Sequence, residues 1–418
     1  MSFIKDISEY IRSGETESQN LGLEIEHFII DDSGNQIDFH EISNLIDKVG
    51  KSIGAEIIYM DSYPVGYYTG EYSTSLEPSC QFEISINPYN DLDTIKSIYE
   101  DFRSLWEPIF SEKGYHFEEK GNLPLVELGL ITPDDIPLSP KKRYKYMDAY
   151  FKRSGSYGKY MMRASSSTQV SIDYRSEEDM VRKLNILQKI SPILMIMMEN
   201  KTSEETTLQG SEDKPHLFRI QEWDDLDPDR TGFIPYSFDP DFGYDKMAEV
   251  IYNTPLILLT DNGETVNVGR QNAEELVLNN IIYTDDLDVE RKKKLIDHFM
   301  SMGFFHYRIK KYIEVRVADS VPIDRALAYV ALLKGIVYSD DNLAELEAML
   351  SHVDSIEAIQ QAVEEIEKYG YAAVIYDGRT TYEWSEDILN LAAAALSKKD
   401  KEYLKNVRDV RSYSQQAS

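Results

Sequence analysis

Cysteine is almost missing from this 418-residue chain, in which Cys80 stands alone. A single thiol excludes an intrachain disulfide framework and a thiolate metal cluster. Between Ser79 and Gln81 it reads as a small buried hydrophobe on a strand and not as a nucleophile. Long apolar runs are missing too. The longest, Ile193 to Met198, is far too short to span a bilayer, and the start MSFIKDISEY has no signal-peptide core. The expectation is a soluble cytoplasmic protein with no membrane partner.

Positive charge is scarce. With 44 Lys+Arg against 74 Asp+Glu the formal charge is −30, which argues against nucleic acid or an anionic membrane as partner. A nucleotide would need a metal ion to approach. No complete phosphate-cradling motif is present, because Ser154-Gly155-Ser156-Tyr157-Gly158 lacks the Gly-Lys-Ser/Thr ending and reads as a turn. Lys141-Lys142-Arg143 reads as a solvated helix end. The aspartates around Asp224 to Asp229 lack calcium-loop spacing and read as a capping loop.

What the chain does contain is one pattern four times over. In Leu21-Gly22-Leu23-Glu24-Ile25-Glu26-His27-Phe28 the side chains alternate between two faces of a strand, so Glu24 and Glu26 share one face and Leu23, Ile25 and His27 the other. Gln81 to Ile86, Gln169 to Asp173 and Tyr312 to Val317 alternate in the same way. If the four strands share an antiparallel sheet, their polar faces combine into a carboxylate-rich bowl that ends at Arg316. From alternation alone the plainer reading is a half-exposed sheet with its charges in water.

Between these strands the pattern predicts helices over Phe3–Ile11, Glu41–Ser52, Leu92–Glu112 and Glu177–Asn200, with a strand from Arg163 to Tyr174. Asp61 to Ser75, rich in Tyr, Gly, Ser and Thr, reads as a mobile edge or loop. From Pro322 onward nearly everything reads as amphipathic helix. Neither an internal repeat nor a low-complexity linker forces a domain boundary.

Five segments in order, LGLEIEHF, SLEPSCQFEIS, MMRASSSTQVSIDYRSEEDMVRKL, DDLDPDRTGFIP and KKYIEVRVAD, resemble the plant-type glutamate–cysteine ligase family, within the carboxylate–amine ligases of glutamine-synthetase-like fold. The resemblance implies an α+β fold: a curved antiparallel sheet with a cupped active-site face, surrounded by helices. It implies a catalytic domain over residues 1–340 and a helical C-terminal extension over 341–418 packed on it. It also implies ATP and Mg²⁺ or Mn²⁺ as cofactors, with glutamate and cysteine or another amine as substrates, in a monomer or weak homodimer.

Carried over by position, Glu24, Glu26, Glu77, Glu83 and Glu314 are implied metal ligands, and Gln169 and Ser171 lie near the nucleotide. Arg316 is implied to hold the transferred phosphoryl group, for which a guanidinium fork suits, and Arg230 to contact substrate or phosphate. The chain departs from the family where it reads Val317-Ala318-Asp319-Ser320-Val321-Pro322 in place of a glycine-rich segment, and Ser79-Cys80 in place of a Gly pair. These changes alter pocket shape and leave a different acceptor amine open. Two other classes stay in view: a hydrolase using Glu77 and Glu83 as acid and base, and an acidic binding protein that presents its helical tail.

Overall fold

The strand from Leu21 to Asp31 lies at the centre of the sheet, and its alternation decides which side of the molecule is core. In this computed structural model, residues 3–202, 214–283 and 287–407 are described. In chain order the strands are β1 (Leu21–Asp31), β2 (Glu56–Met60), β3 (Tyr63–Tyr68), β4 (Tyr72–Leu76), β5 (Phe82–Tyr89), β6 (Tyr115–Glu118), β7 (Ser167–Ile172), β8 (Leu258–Asp261), β9 (Glu264–Asn267), β10 (Tyr307–Ile309) and β11 (Ile313–Asp319). Nine of them form one antiparallel sheet in the order β10-β11-β7-β1-β5-β4-β3-β2, with β6 paired to the far end of β1; β8 and β9 form a separate hairpin. All four functional strands expected from alternation are adjacent in it.

One face of the sheet is apolar. Leu23, Ile25, Phe82, Ile84, Val170, Ile172, Ile313 and Val315 are fully buried beneath helices Leu92–Glu112, Glu177–Met197 and Ile323–Val337. His27 belongs to this core. Its Nδ1 lies 2.8 Å from the Phe82 carbonyl and its Nε2 2.8 Å from the Tyr99 hydroxyl, and burial lowers its pKa to about 4, so the ring is neutral. The end of β1 follows from local chemistry: Asp31 Oδ1 accepts from Ser33 N at 2.8 Å and Asn35 N at 2.9 Å, closing a turn over Gly34.

Three local expectations are corrected. Asp61 to Ser75 is no loop: it supplies β3 and β4, with Val65, Tyr67 and Thr74 buried. A Cβ on Gly66 would stand 1.9 Å from the Thr74 carbonyl oxygen, so that glycine marks close strand approach and not flexibility. The third functional strand begins at Ser167, because Gly158–Ala164 is helical. Lys141 is not a solvated helix end but is buried, with its ammonium donating to the Leu76 carbonyl. The chain beyond residue 340 is helical through Asp340–Met349, Ile356–Tyr369 and Thr381–Ala395, packed on Glu177–Met197 and Ile323–Val337.

Candidate active site

In antiparallel pairing, residues opposite one another share a face, so the register alone assembles the polar side of the sheet. Arg308 lies opposite Glu314, Glu314 opposite Ser171, Gln169 opposite Glu24, Glu24 opposite Ser85, and Glu26 opposite Glu83. Ser75 of β4 stands opposite Glu83. The sheet therefore brings Glu24, Glu26, Glu83, Gln169, Ser171, Glu314 and Arg316 onto one face. Glu77 joins from the tight turn after β4, where Cys80 N donates to its carbonyl at 3.1 Å.

Hydrogen bonds tie these groups together. Ser75 Oγ donates to Glu77 at 3.1 Å and to Glu83 at 3.2 Å, and Ser85 Oγ donates to Glu83 at 3.0 Å. Glu26 accepts from the Ser167 backbone at 2.7 Å and from Gln169 Nε2 at 3.2 Å. The carbonyl oxygen of the Gln169 side chain accepts from Arg316. Glu314 lies 2.5 Å from Arg308 and 3.5 Å from Arg316.

Electrostatically the face has two halves. On one, burial and then the neighbouring carboxylate Glu314 raise Glu24 to about 7, and burial and then Glu77 raise Glu26 to about 7. Glu83 is pushed well above the carboxylate range by burial and by Glu24, Glu77 and Glu26. On the other half, burial would raise Glu314, but Arg308, Lys310 and Arg316 outweigh it and hold it at about 2. Four carboxylates with no ion pair of their own among the described residues thus adjoin a cluster of three cations gathered around Glu314.

A hard divalent cation fits this oxygen-only donor set, in which burial and mutual repulsion raise Glu24, Glu26 and Glu83. No group of three or more His, Cys, Asp or Glu among the described residues is already gathered at ligating distance. The set is therefore open and not a preformed cage. Glu24, Glu26, Glu77 and Glu83 are its members. Glu314, expected as a fifth ligand, is occupied by Arg308 and Arg316 in this structure.

Arg230 is not placed where the sequence reading put it. It is fully buried, with Nε 2.8 Å from Asp227 and Nη1 donating to the Met302 carbonyl at 3.2 Å. Nη2 donates to the Tyr150 hydroxyl at 3.3 Å. The guanidinium locks its own loop and faces no member of the carboxylate set in these contacts. The sequence reading missed Arg308, Lys310 and Arg143. Arg308 and Lys310 flank Ile309 at the same period of two that revealed the other strands, but Arg308 lies in a strand of only three residues and Lys310 just past its end. Arg143, half-buried at the start of helix Lys142–Ser154, feels Glu77 and Arg308 and makes no ion pair among the described residues.

A site with this division of charge suits a reaction between a carboxylate and a polyphosphate, and the comparisons with known proteins agree. The chain is 26% identical over 350 residues to chloroplastic glutamate–cysteine ligase A of Oryza sativa subsp. indica, covering 83% of this chain and 69% of that one. It is 26% identical over 345 residues to the chloroplastic glutamate–cysteine ligase of Arabidopsis thaliana, covering 81% and 63%. A crystal structure of the Francisella tularensis glutamate–cysteine ligase in complex with AMP shares the fold, with a TM-score of 0.51 at 14% identity over 96% of this chain and 83% of that one. The family model of glutamate–cysteine ligase family 2 matches residues 20–416. With nearly the whole chain inside that match, and four of the five family-like segments meeting on one polar sheet face, the protein is a ligase that belongs to glutamate–cysteine ligase family 2.

Proposed function

We propose that the chain uses ATP to phosphorylate the γ-carboxylate of glutamate and joins the resulting acyl group to the amine of cysteine. The observation that carries this reading is the meeting of Glu24, Glu26, Glu77 and Glu83 with Arg308, Lys310 and Arg316 on one face. Glutamate and ATP are both anions and repel one another. Catalysis here is chiefly a matter of holding them in line and neutralising them.

Arg316 is the group that faces the transferred phosphoryl. Gln169 fixes one side of its guanidinium and Glu314 the other, so its fork is oriented before substrate arrives. Arg308 and Lys310 bias Glu314 to its charged form, keeping that anchor intact. Glu24, Glu26, Glu77 and Glu83 are the residues that would hold magnesium or manganese, which when bound supplies charge neutralisation of phosphate and carboxylate oxygens. In the first step a γ-carboxylate oxygen of glutamate bonds to the γ-phosphorus and ADP leaves. In the second, the amine attacks the acyl carbon and phosphate leaves.

The test is direct. Incubation with glutamate, cysteine, ATP and Mg²⁺ should release ADP and phosphate in step with γ-glutamylcysteine, and a panel of other amines and amino acids compares acceptors. ATP-independent turnover, or no ADP with any amine, refutes the reading. Glu26→Gln keeps shape and removes a charge; turnover should fall by at least about 10²-fold while the unfolding midpoint holds. Unchanged turnover removes Glu26 from the metal-binding set.

A further inference from the structure

The carboxylate-rich face is built on strands, but Arg316 is not on a regular stretch of strand. The β11–β7 register shifts between Val315 and Ala318, so Arg316 and Val317 together stand opposite Gln169. In such a bulge the strand bends and a side chain is re-aimed. A bulge also forfeits ladder hydrogen bonds, so something else must satisfy its carbonyls and keep it from relaxing into regular pairing.

That something is helix Phe218–Asp224. Arg219, 4% exposed, sends Nη2 to the Arg316 carbonyl at 3.2 Å and to the Ala318 carbonyl at 2.8 Å, while its Nε lies 2.9 Å from Asp319. Asp319 is held in turn by Asn200 N at 2.8 Å. One turn along the same helix, the Trp223 ring faces the Arg316 guanidinium at 5.9 Å. The helix thus holds Arg316 by its backbone and by its side chain.

The helix is itself fixed. Leu217, just before it, has a left-handed φ of 58°. Such a conformation costs free energy in a non-glycine residue and persists where the surroundings over-determine it. Here buried Glu199 accepts from Leu217 N at 2.6 Å and lies 2.8 Å from His216 Nδ1. Further on, fully buried Glu222 receives the Asn122 amide at 2.7 and 2.8 Å.

We propose that helix Phe218–Asp224 is a positioning element for catalysis: Arg219 sets the β11 bulge that aims Arg316, and Trp223 holds the aimed guanidinium in place. The inference rests on the reading that Arg316 contacts the phosphoryl group being transferred. Arg219 and Trp223 touch no reactant and act through Arg316. A fork that bonds two carbonyls and a carboxylate at once is a guanidinium task that an ammonium cannot reproduce.

The experiment is a pair of double-mutant cycles with glutamate, cysteine, ATP and Mg²⁺ in the full chain. Arg219→Lys and Trp223→Leu should each lower kcat by about 10²-fold, the cost of a misplacement near 1 Å, with the KM for cysteine within about two-fold. Trp223→Phe, which keeps an aromatic face, should restore most of the loss. Combined with Arg316→Lys, neither should lower kcat much beyond Arg316→Lys alone, because the group they position is already compromised. Effects that multiply in full overturn the positioning role and leave the Arg316 reading standing. Full turnover in Arg316→Lys instead overturns the reading beneath both. Should Arg219→Lys fail to fold, the Trp223 cycle decides alone, with Trp223→Phe keeping a ring in that partly buried place.

Discussion

Replacing Arg230 by Ala separates two roles that one residue type can play. The side chain is fully buried, its partner Asp227 is 1% exposed, and they meet at 2.8 Å. Burial pushes the Asp227 carboxyl up, but bonds from Tyr150 and Arg230 hold it below its ordinary value. Removing the guanidinium strands that carboxylate with only the Tyr150 hydroxyl and the Asp229 amide, a change that costs about 3 to 5 kcal/mol for a broken buried pair. For 418 residues at about 2.1 cal/mol/K each, the unfolding entropy is about 0.9 kcal/mol/K, so the midpoint should drop by about 3 to 6 °C. Scanning calorimetry reads the shift, and turnover at 20 °C should stay within about three-fold, because surface and core substitutions outside the site act on stability. The double variant Arg230→Met with Asp227→Leu should recover most of the lost stability, since apolar replacement of both partners leaves no orphan charge. An unchanged midpoint with lost turnover would refute the structural assignment and return Arg230 to the substrate.

Glu127, raised to about 7 by burial, binds a proton in the folded protein that it releases when unfolded between its ordinary 4.5 and 7. Its contribution to stability is therefore lost as pH rises through that window; Glu127→Gln should flatten the midpoint-versus-pH curve there, and an unaltered slope would show that another group carries it. Cys80 is 5% exposed, its thiol is raised to about 12 by burial, and its φ is 69°. Cys80→Ala should keep full ligase turnover, and a folded but inactive variant would give the thiol a chemical role. Cys80→Gly should relieve about 1 kcal/mol of left-handed strain, offset by the lost packing of the side chain. ATP with Mg²⁺ at about 100 times its dissociation constant should stabilise the fold by about 2.7 kcal/mol; no shift of the midpoint would favour the acidic binding-protein reading.

Alternation made the sheet legible, because a strand with one buried face writes its orientation into every second residue. Glu24, Glu26, Glu83, Gln169 and Glu314 could be placed on one side from that alone, and the register shows them there. What escaped was anything whose role depends on a contact across the chain. Arg230 and Arg316 both sit in charged, family-like segments, and only packing distinguishes a guanidinium sealed against Asp227 from one facing carboxylates. Arg143 hid in a run of three charges because a helix end in solvent and a helix end over a site read alike. Gly66 and its tyrosine-rich neighbours looked like loop for the reason that glycine serves both tight strand contact and flexibility.

The odd-and-even division of β1 from Leu23 to His27 limits how this protein can change over evolutionary time. Deleting one residue near Gly22 would swap Leu23 and Ile25 with Glu24 and Glu26, driving two carboxylates into hydrocarbon and greasy side chains into the reaction chamber. Length changes that leave the fold intact must then fall outside this strand, while its own count of residues is inherited unchanged.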